Sequence, residues 1–164
     1  MRGRYQVGAA VEDFSLVDGR YVTGGLQLDL RSGRFEAVYD GWVLRGGVVG
    51  DEALWVRGED EHRASASGFT GMSPAFDLHL AAVLHLEVGE SRRLALVELI
   101  EPVGAARTVR RTWTRGVSGE SDVDRYDVTD ADTGERWVLH VAGDVLVSRE
   151  GRDPVQLLML DTSV

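Results

Sequence analysis

The chain has 164 residues, 43% of them hydrophobic, a formal net charge of -9 and no cysteine. That length suits one domain with a real core, so residues 1–164 are expected to form a single domain. The acidic balance argues against a nucleic-acid surface, which needs clustered positive charge, and the missing thiols exclude disulfides, thiolate catalysis and cysteine-based zinc sites. Every basic residue is Arg, Lys and Asn are missing, and Ile100 is the one isoleucine. This is a compositional bias and not a site.

The opening stretch MRGRYQVGAAVEDF lacks the apolar core of a signal peptide. From Tyr5 to Ala66 the apolar phase changes every six to ten residues: LQLDLRSG, RFEAVYDG, WVLRGGVV and ALWVRGED are each terminated by Gly with Asp, Ser or Glu, within the run or just after it. Period-two burial with Gly-rich turns predicts short antiparallel strands over 5–66, with hairpins at RSGR and VVGDEA.

GFTGMSPAFDLHLAAVLHLEVGES, 68 to 91, is the least polar stretch. Ser73 followed by Pro74 is an N-cap with Pro at the first helical position, predicting a helix over about 74–83. Phe76, Leu80, Val83 and Leu84 share one face while Leu78 and Ala82 lie behind it, so this helix needs cover on most sides. The run from Leu78 to Leu86, broken by His79 and His85, is too short to span a bilayer. Leu84, Leu86 and Val88 alternate, which predicts that strands resume at 84 and continue to about 160. RRLALVELIEP, RTVRRTWTRG, DRYDVTDADTGERWVLHV, DVLVSREG and PVQLLML carry that pattern. Tyr126 and Val128 against Trp137, Leu139 and Val141, joined through DADTGE, form the clearest hairpin.

Several residues invite a chemical reading. GMSPA approximates a nucleophile elbow at Ser73, yet that motif takes an oxyanion donor from the N–H of the next residue, and Pro74 has none. Ser73 reads as a cap. Asp122, Asp124, Asp127, Asp130 and Asp132 cluster around DADTGE, but no bidentate Glu follows in calcium-loop position, and a plain solvated hairpin explains the composition. His62, His79, His85 and His140 lack metal-ligand spacing. Asp77 and His79 would diverge on a helix and converge only on a strand. No catalytic residues, metal ligands or cofactor follow, so the chain reads as a non-enzyme.

What remains is an apolar and aromatic set: Phe76, Leu80, Leu84, Trp113, Tyr126, Trp137 and Leu139. Large apolar residues usually fill a core. A curved sheet only partly closed on a helix also leaves a concave apolar space, a common ligand site.

Beyond this reading, the Gly68-Phe69-Thr70 entry, the helix, the Val88-Gly89-Glu90-Ser91 turn and the strand ending at Arg115 resemble a bacterial glycolipid-binding family. Its relatives share the lipoprotein-carrier type of open β-clasp. The resemblance covers roughly residues 65 to 150 and implies a half-barrel of antiparallel strands clasping a helix, with a cavity suited to acyl chains. The sequence thus predicts an all-β or β-dominated α+β fold, a strongly curved antiparallel sheet wrapped around one central helix. It is expected to be soluble and cytoplasmic, with no nucleic-acid partner and no membrane span, and to bind a lipid or other apolar small molecule through those seven residues. A protein-interaction module with a filled core is the alternative.

Overall fold

Alternating sequence punctuated by glycine turns builds one large sheet in the computed structural model, which describes residues 1–39, 41–100 and 105–163. Its first half runs β1 (Arg2–Val7), β2 (Ala10–Val17), β3 (Arg20–Val22), β4 (Leu26–Asp29), β5 (Phe35–Tyr39), β6 (Trp42–Val49), β7 (Glu52–Arg57) and β8 (Asp60–Ser65). A short strand β9 (Gly68–Thr70) precedes the helix α1 (Pro74–Leu84). The second half is β10 (Ser91–Ile100), β11 (Ala105–Gly116), β12 (Asp124–Asp130), β13 (Arg136–Ala142), β14 (Val145–Glu150) and β15 (Val155–Asp161). The expected hairpins form: RSGR joins β4 to β5, VVGDEA joins β6 to β7, and DADTGE joins β12 to β13, where Tyr126 faces Leu139 and Val128 faces Trp137. Between β2 and β3 the two-residue turn Asp18-Gly19 has positive φ at both positions, the twist that suits a tight hairpin.

The strands form a single 15-stranded sheet in the order β8-β7-β6-β5-β4-β3-β2-β1-β15-β14-β13-β12-β11-β10-β9. The ladders are antiparallel except that β9 runs parallel to β10. Along the inner face, register stacks apolar side chains into continuous rows. Phe14 lies between Tyr5 and Tyr21, with ring centroids 4.7 and 5.1 Å away.

A sheet this long cannot stay flat, because strand twist accumulates until the sheet curls, splits or closes. Here it curls until its two ends overlap. In β10 the neighbours Leu96 and Val97, which point to opposite faces, are both fully buried, and so is Phe69 on β9. The cover on the second face comes from the other end of the sheet. The Phe69 ring meets Phe35 of β5 edge-on at 4.8 Å and Trp55 of β7 at 6.1 Å. Gly46 on β6 makes room for this, since a Cβ there would run into the ring of Phe35 and approach Phe69.

The helix begins as its sequence predicts. Ser73 accepts from the Ala75 N–H at 3.3 Å, Pro74 occupies the first turn, and Phe76 packs edge-on against Phe35 at 5.5 Å. Its first seven residues are buried, but Ala82 and Val83 face solvent, so the sheet covers one end of the helix more fully than the other. Two expectations need correcting. No strand begins at 84: His85 takes a left-handed conformation and ends the helix, Leu86 turns inward, and Glu87–Glu90 form a turn, so β10 starts only at Ser91. Alternation at Leu84, Leu86 and Val88 was misleading because Val88 is exposed. The sheet is also not wholly antiparallel, since the chain enters the helix from a parallel edge strand. The segment Glu101–Gly104, at the end of RRLALVELIEP, lies outside the described residues.

Adjacent glycines on β6 test the overlap. Gly46→Ala should cost about 1–3 kcal/mol by overpacking against Phe35. Gly47→Ala places its Cβ on the opposite face, 3.4 Å from the flexible Arg34 side chain, and should change stability by no more than about 0.5 kcal/mol. Equal losses in urea unfolding would contradict the arrangement.

Candidate functional site

Phe76, Leu80, Leu84, Trp113, Tyr126, Trp137 and Leu139 all fall in one buried hydrophobic cluster, and each is less than a tenth exposed. Trp113 and Tyr126 pack at 5.6 Å, and the indole N–H of Trp113 finds no acceptor among the described residues. Trp137 also lines a cleft at the start of the helix and a second space beside β12 and β13.

The residues tested for chemistry are spent on structure. The Ser73 hydroxyl donates to Glu12 at 2.9 Å, and Tyr21 donates to the same carboxylate oxygen at 2.8 Å, so Glu12 ties β2 and β3 to the helix cap. Burial pushes the Glu12 carboxyl above its usual range, against the lowering effect of these hydroxyls and of the Arg149 charge. Asp77 and His79 diverge as helical neighbours two apart must. Asp77 pairs with Arg149 at 2.6 Å, while His79 contacts the Leu30 carbonyl at 2.7 Å. The other histidines lie far apart in the topology: His62 stacks on Trp55, His85 ends the helix, and His140 meets Ser148. In DADTGE, Asp130 turns inward and accepts from the N–H groups of Asp132 and Thr133, which closes the hairpin.

Two open features among the described residues bring several arginines together. The first is an arginine cleft of about 230 Å³ at the N-terminal end of α1, lined by Thr70, Asp77, Glu98, Arg111, Trp137, Arg149, Arg152 and their neighbours. Arg111 donates to Thr70 at 3.1 Å and to Glu98 at 2.5 Å, and stacks over Trp137 at 4.9 Å. Burial pushes the Glu98 carboxyl up, but the hydrogen bonds from Arg107 and the charges of Arg111 and Arg152 outweigh it and leave the group below the usual carboxylate range.

The second is a groove of about 620 Å³ on the outer face of β5–β8. Register sets two cross-strand rows side by side there: Glu36, Arg45, Val56 and Glu61 in one, Gly47, Leu54 and Arg63 in the next, with Arg34 beside Gly47. Gly47 leaves the floor without a side chain, Leu54 and Val56 make it apolar, and Arg34, Arg45 and Arg63 bring guanidinium groups to the rim. Trp55, between these rows in sequence phase, turns its ring to the inner face against Phe69.

The groove carried little signal because Leu54 and Val56 sit in an ordinary alternating strand. The cleft carried more. Glu98 follows Leu94 and Leu96, Arg111 sits between Val109 and Trp113, and Asp130 follows Tyr126 and Val128, each a charged residue in the inward phase of an apolar row.

No protein-family model and no curated protein matches the chain. A solved structure from Pseudomonas aeruginosa, described as a DUF1089 family protein, is similar over 83% of this chain and 86% of that one, at 14% sequence identity and a TM-score of 0.49. At that level the likeness says nothing about what either site takes. Among the described residues no helix is long and apolar enough to cross a membrane.

Glu12 supplies a pH test. A carboxyl whose folded pKa is raised favours the protonated fold, so its contribution is present below the ordinary glutamate range and is lost as pH rises through the folded pKa. Glu12→Gln keeps the acceptor and removes the charge. It should be at least as stable as the parent at pH 7 and flatten the dependence of Tm on pH above about 4.3. A loss exceeding about 1 kcal/mol at pH 7 would show that the ionised form is the stabilising one.

Proposed function

We propose that this protein is a non-catalytic binder of a lipid or similar apolar small molecule. The observation that carries the reading is the β5–β8 groove, whose volume of about 620 Å³ falls within the usual range for small-ligand sites. Hydrocarbon lies along Gly47, Leu54 and Val56, where it removes apolar surface from water at about 25 cal/mol per Å². The rim arginines receive a polar or anionic headgroup, and snorkelling side chains of this kind keep their charge wet while their stems line the chain. The resemblance of residues 65 to 150 to a glycolipid-binding family supports the same ligand class.

The groove replaces the space beneath the helix as the preferred location. Phe76, Leu80, Leu84, Trp113, Tyr126 and Leu139 pack against one another in the core, and a chain inserted among them would have to displace α1. A protein-interaction role is the second reading, favoured by the exposed apolar run Leu158, Met159 and Leu160 on β15.

Titration with an environment-sensitive fluorescent fatty acid tests the proposal. Saturable binding below about 100 μM is expected, weakened about tenfold or more by Leu54→Glu with Tm little changed, since Leu54 is only half-buried. No saturable binding, or binding indifferent to Leu54→Glu, would favour the interaction module.

A further inference from the structure

A sheet that does not close into a barrel has two edges, and here they differ. The edge strand β9 is three residues long and buried throughout. The other edge strand, β8, is six residues long, follows β7 without a register shift and contains no proline. Its residues Asp60, Glu61, His62 and Arg63 are all exposed. A regular strand paired on one side only is a template for the addition of another strand.

The ladder shows which backbone groups are free. Just past β8, the Ala66 N–H donates to the Asp51 carbonyl at 3.2 Å, in continuation of the β7–β8 register. Backbone groups alternate in direction along an antiparallel strand. Asp60, His62 and Ala64 therefore bond to β7, while Glu61 and Arg63 aim their N–H and C=O groups at the open edge.

Charged side chains ordinarily discourage pairing at an edge, but on β8 one arrangement makes them complementary. Two copies related by a two-fold axis at this edge run antiparallel. Facing residues must share a face of the pleat, so the axis passes between a residue and its own copy. Centring on Asp60, Glu61 or Arg63 sets like charges face to face at the axis. The Glu61 register brings Arg63 opposite Glu59 alone, which lies in the β7–β8 turn. Centring on Ala64 or Ser65 opposes no unlike charges. Centring on His62 places Glu61 opposite the partner's Arg63 and Arg63 opposite the partner's Glu61. These are the residues whose backbone groups are free, so each facing pair exchanges hydrogen bonds as well as attraction. His62 meets its own copy with its ring already stacked on Trp55 at 5.5 Å. Within the chain Arg63 has an exposed partner in Glu52 at 3.5 Å, on the β7 side, and can reach both carboxylates.

We propose that β8 is the contact edge of a homodimer, in which two copies join antiparallel about a two-fold axis at His62 to make one continuous sheet. The axis stands perpendicular to the sheet and keeps both outer faces on the same side. Glu61 and Arg63 line the β5–β8 groove, so the partner's Glu61 and Arg63 prolong its wall beyond β8. The pairing does not depend on what the groove holds. One strand from each copy buries less area than a permanent dimer needs, so the association is weak and reversible.

Sedimentation equilibrium over a range of concentrations, with charge-reversed variants, provides the test. The parent should show a monomer–dimer equilibrium with a Kd of about 1–100 μM. Glu61→Arg alone opposes arginines and Arg63→Glu alone opposes glutamates, and each should weaken self-association about tenfold or more. Mixing these two single variants restores both unlike pairs, and should return a heterodimer of about parental affinity. The exposure of both residues leaves the variants able to fold, which unchanged circular dichroism and Tm verify. A parent that remains monomeric at about 500 μM would overturn the proposal. So would single variants that associate as the parent does, which would place the contact elsewhere, or a mixture that fails to pair.

Discussion

The edge-on contact of Phe69 with Phe35 and Trp55 joins one end of the sheet to the other, and the rest of the fold depends on it. A continuous sheet has one apolar face to cover, and a helix of eleven residues is far too small to cover fifteen strands. Overlap supplies the missing cover: the β9–β10 end slides beneath β5–β7, so Phe69 and Val97 are sealed from a side that an isolated edge would leave wet. Aromatic contacts of this geometry add about 0.5–1.5 kcal/mol each beyond the area they bury. The same overlap places β9 where the chain must turn into α1, and Phe76 completes the contact from the helix side.

Sealing an end inward carries charged residues with it. Glu98 and Arg111 belong to the inner rows of β10 and β11, Asp77 to the buried first turn of the helix, and Arg149 to the inner face of β14. Ionised groups so far from water persist only when paired and hydrogen-bonded. Breaking such a pair typically costs about 3–5 kcal/mol, because the abandoned charge stays buried. The network therefore fixes how the helix start, β10, β11 and β14 meet.

Much of the local structure was legible. The Ser73-Pro74 cap, the RSGR, VVGDEA and DADTGE hairpins and the facing of Val128 by Trp137 follow from turn chemistry and period-two burial, which act over a few residues. The segment after the helix was misread because Leu84, Leu86 and Val88 alternate like a strand, while the left-handed His85 and the Glu87–Glu90 turn are decided by tertiary fit. The overlap was hidden for a different reason. Its sequence trace is a run buried on both faces, Leu96-Val97-Glu98, whose partner lies some forty residues earlier and is named by no local pattern. The seven apolar residues belong to one buried cluster, while the groove and the cleft depend on pairings between distant strands that no local pattern names.

A double-mutant cycle on Phe35→Leu and Phe69→Leu probes the overlap most directly, because these rings come from opposite ends of the sheet. Unfolding free energies of the parent, both single variants and the double variant give the coupling between them. Overlap predicts a coupling of about 0.5–1.5 kcal/mol. Losses that add to within about 0.3 kcal/mol would mean that the two ends do not touch, and would contradict the closed arrangement.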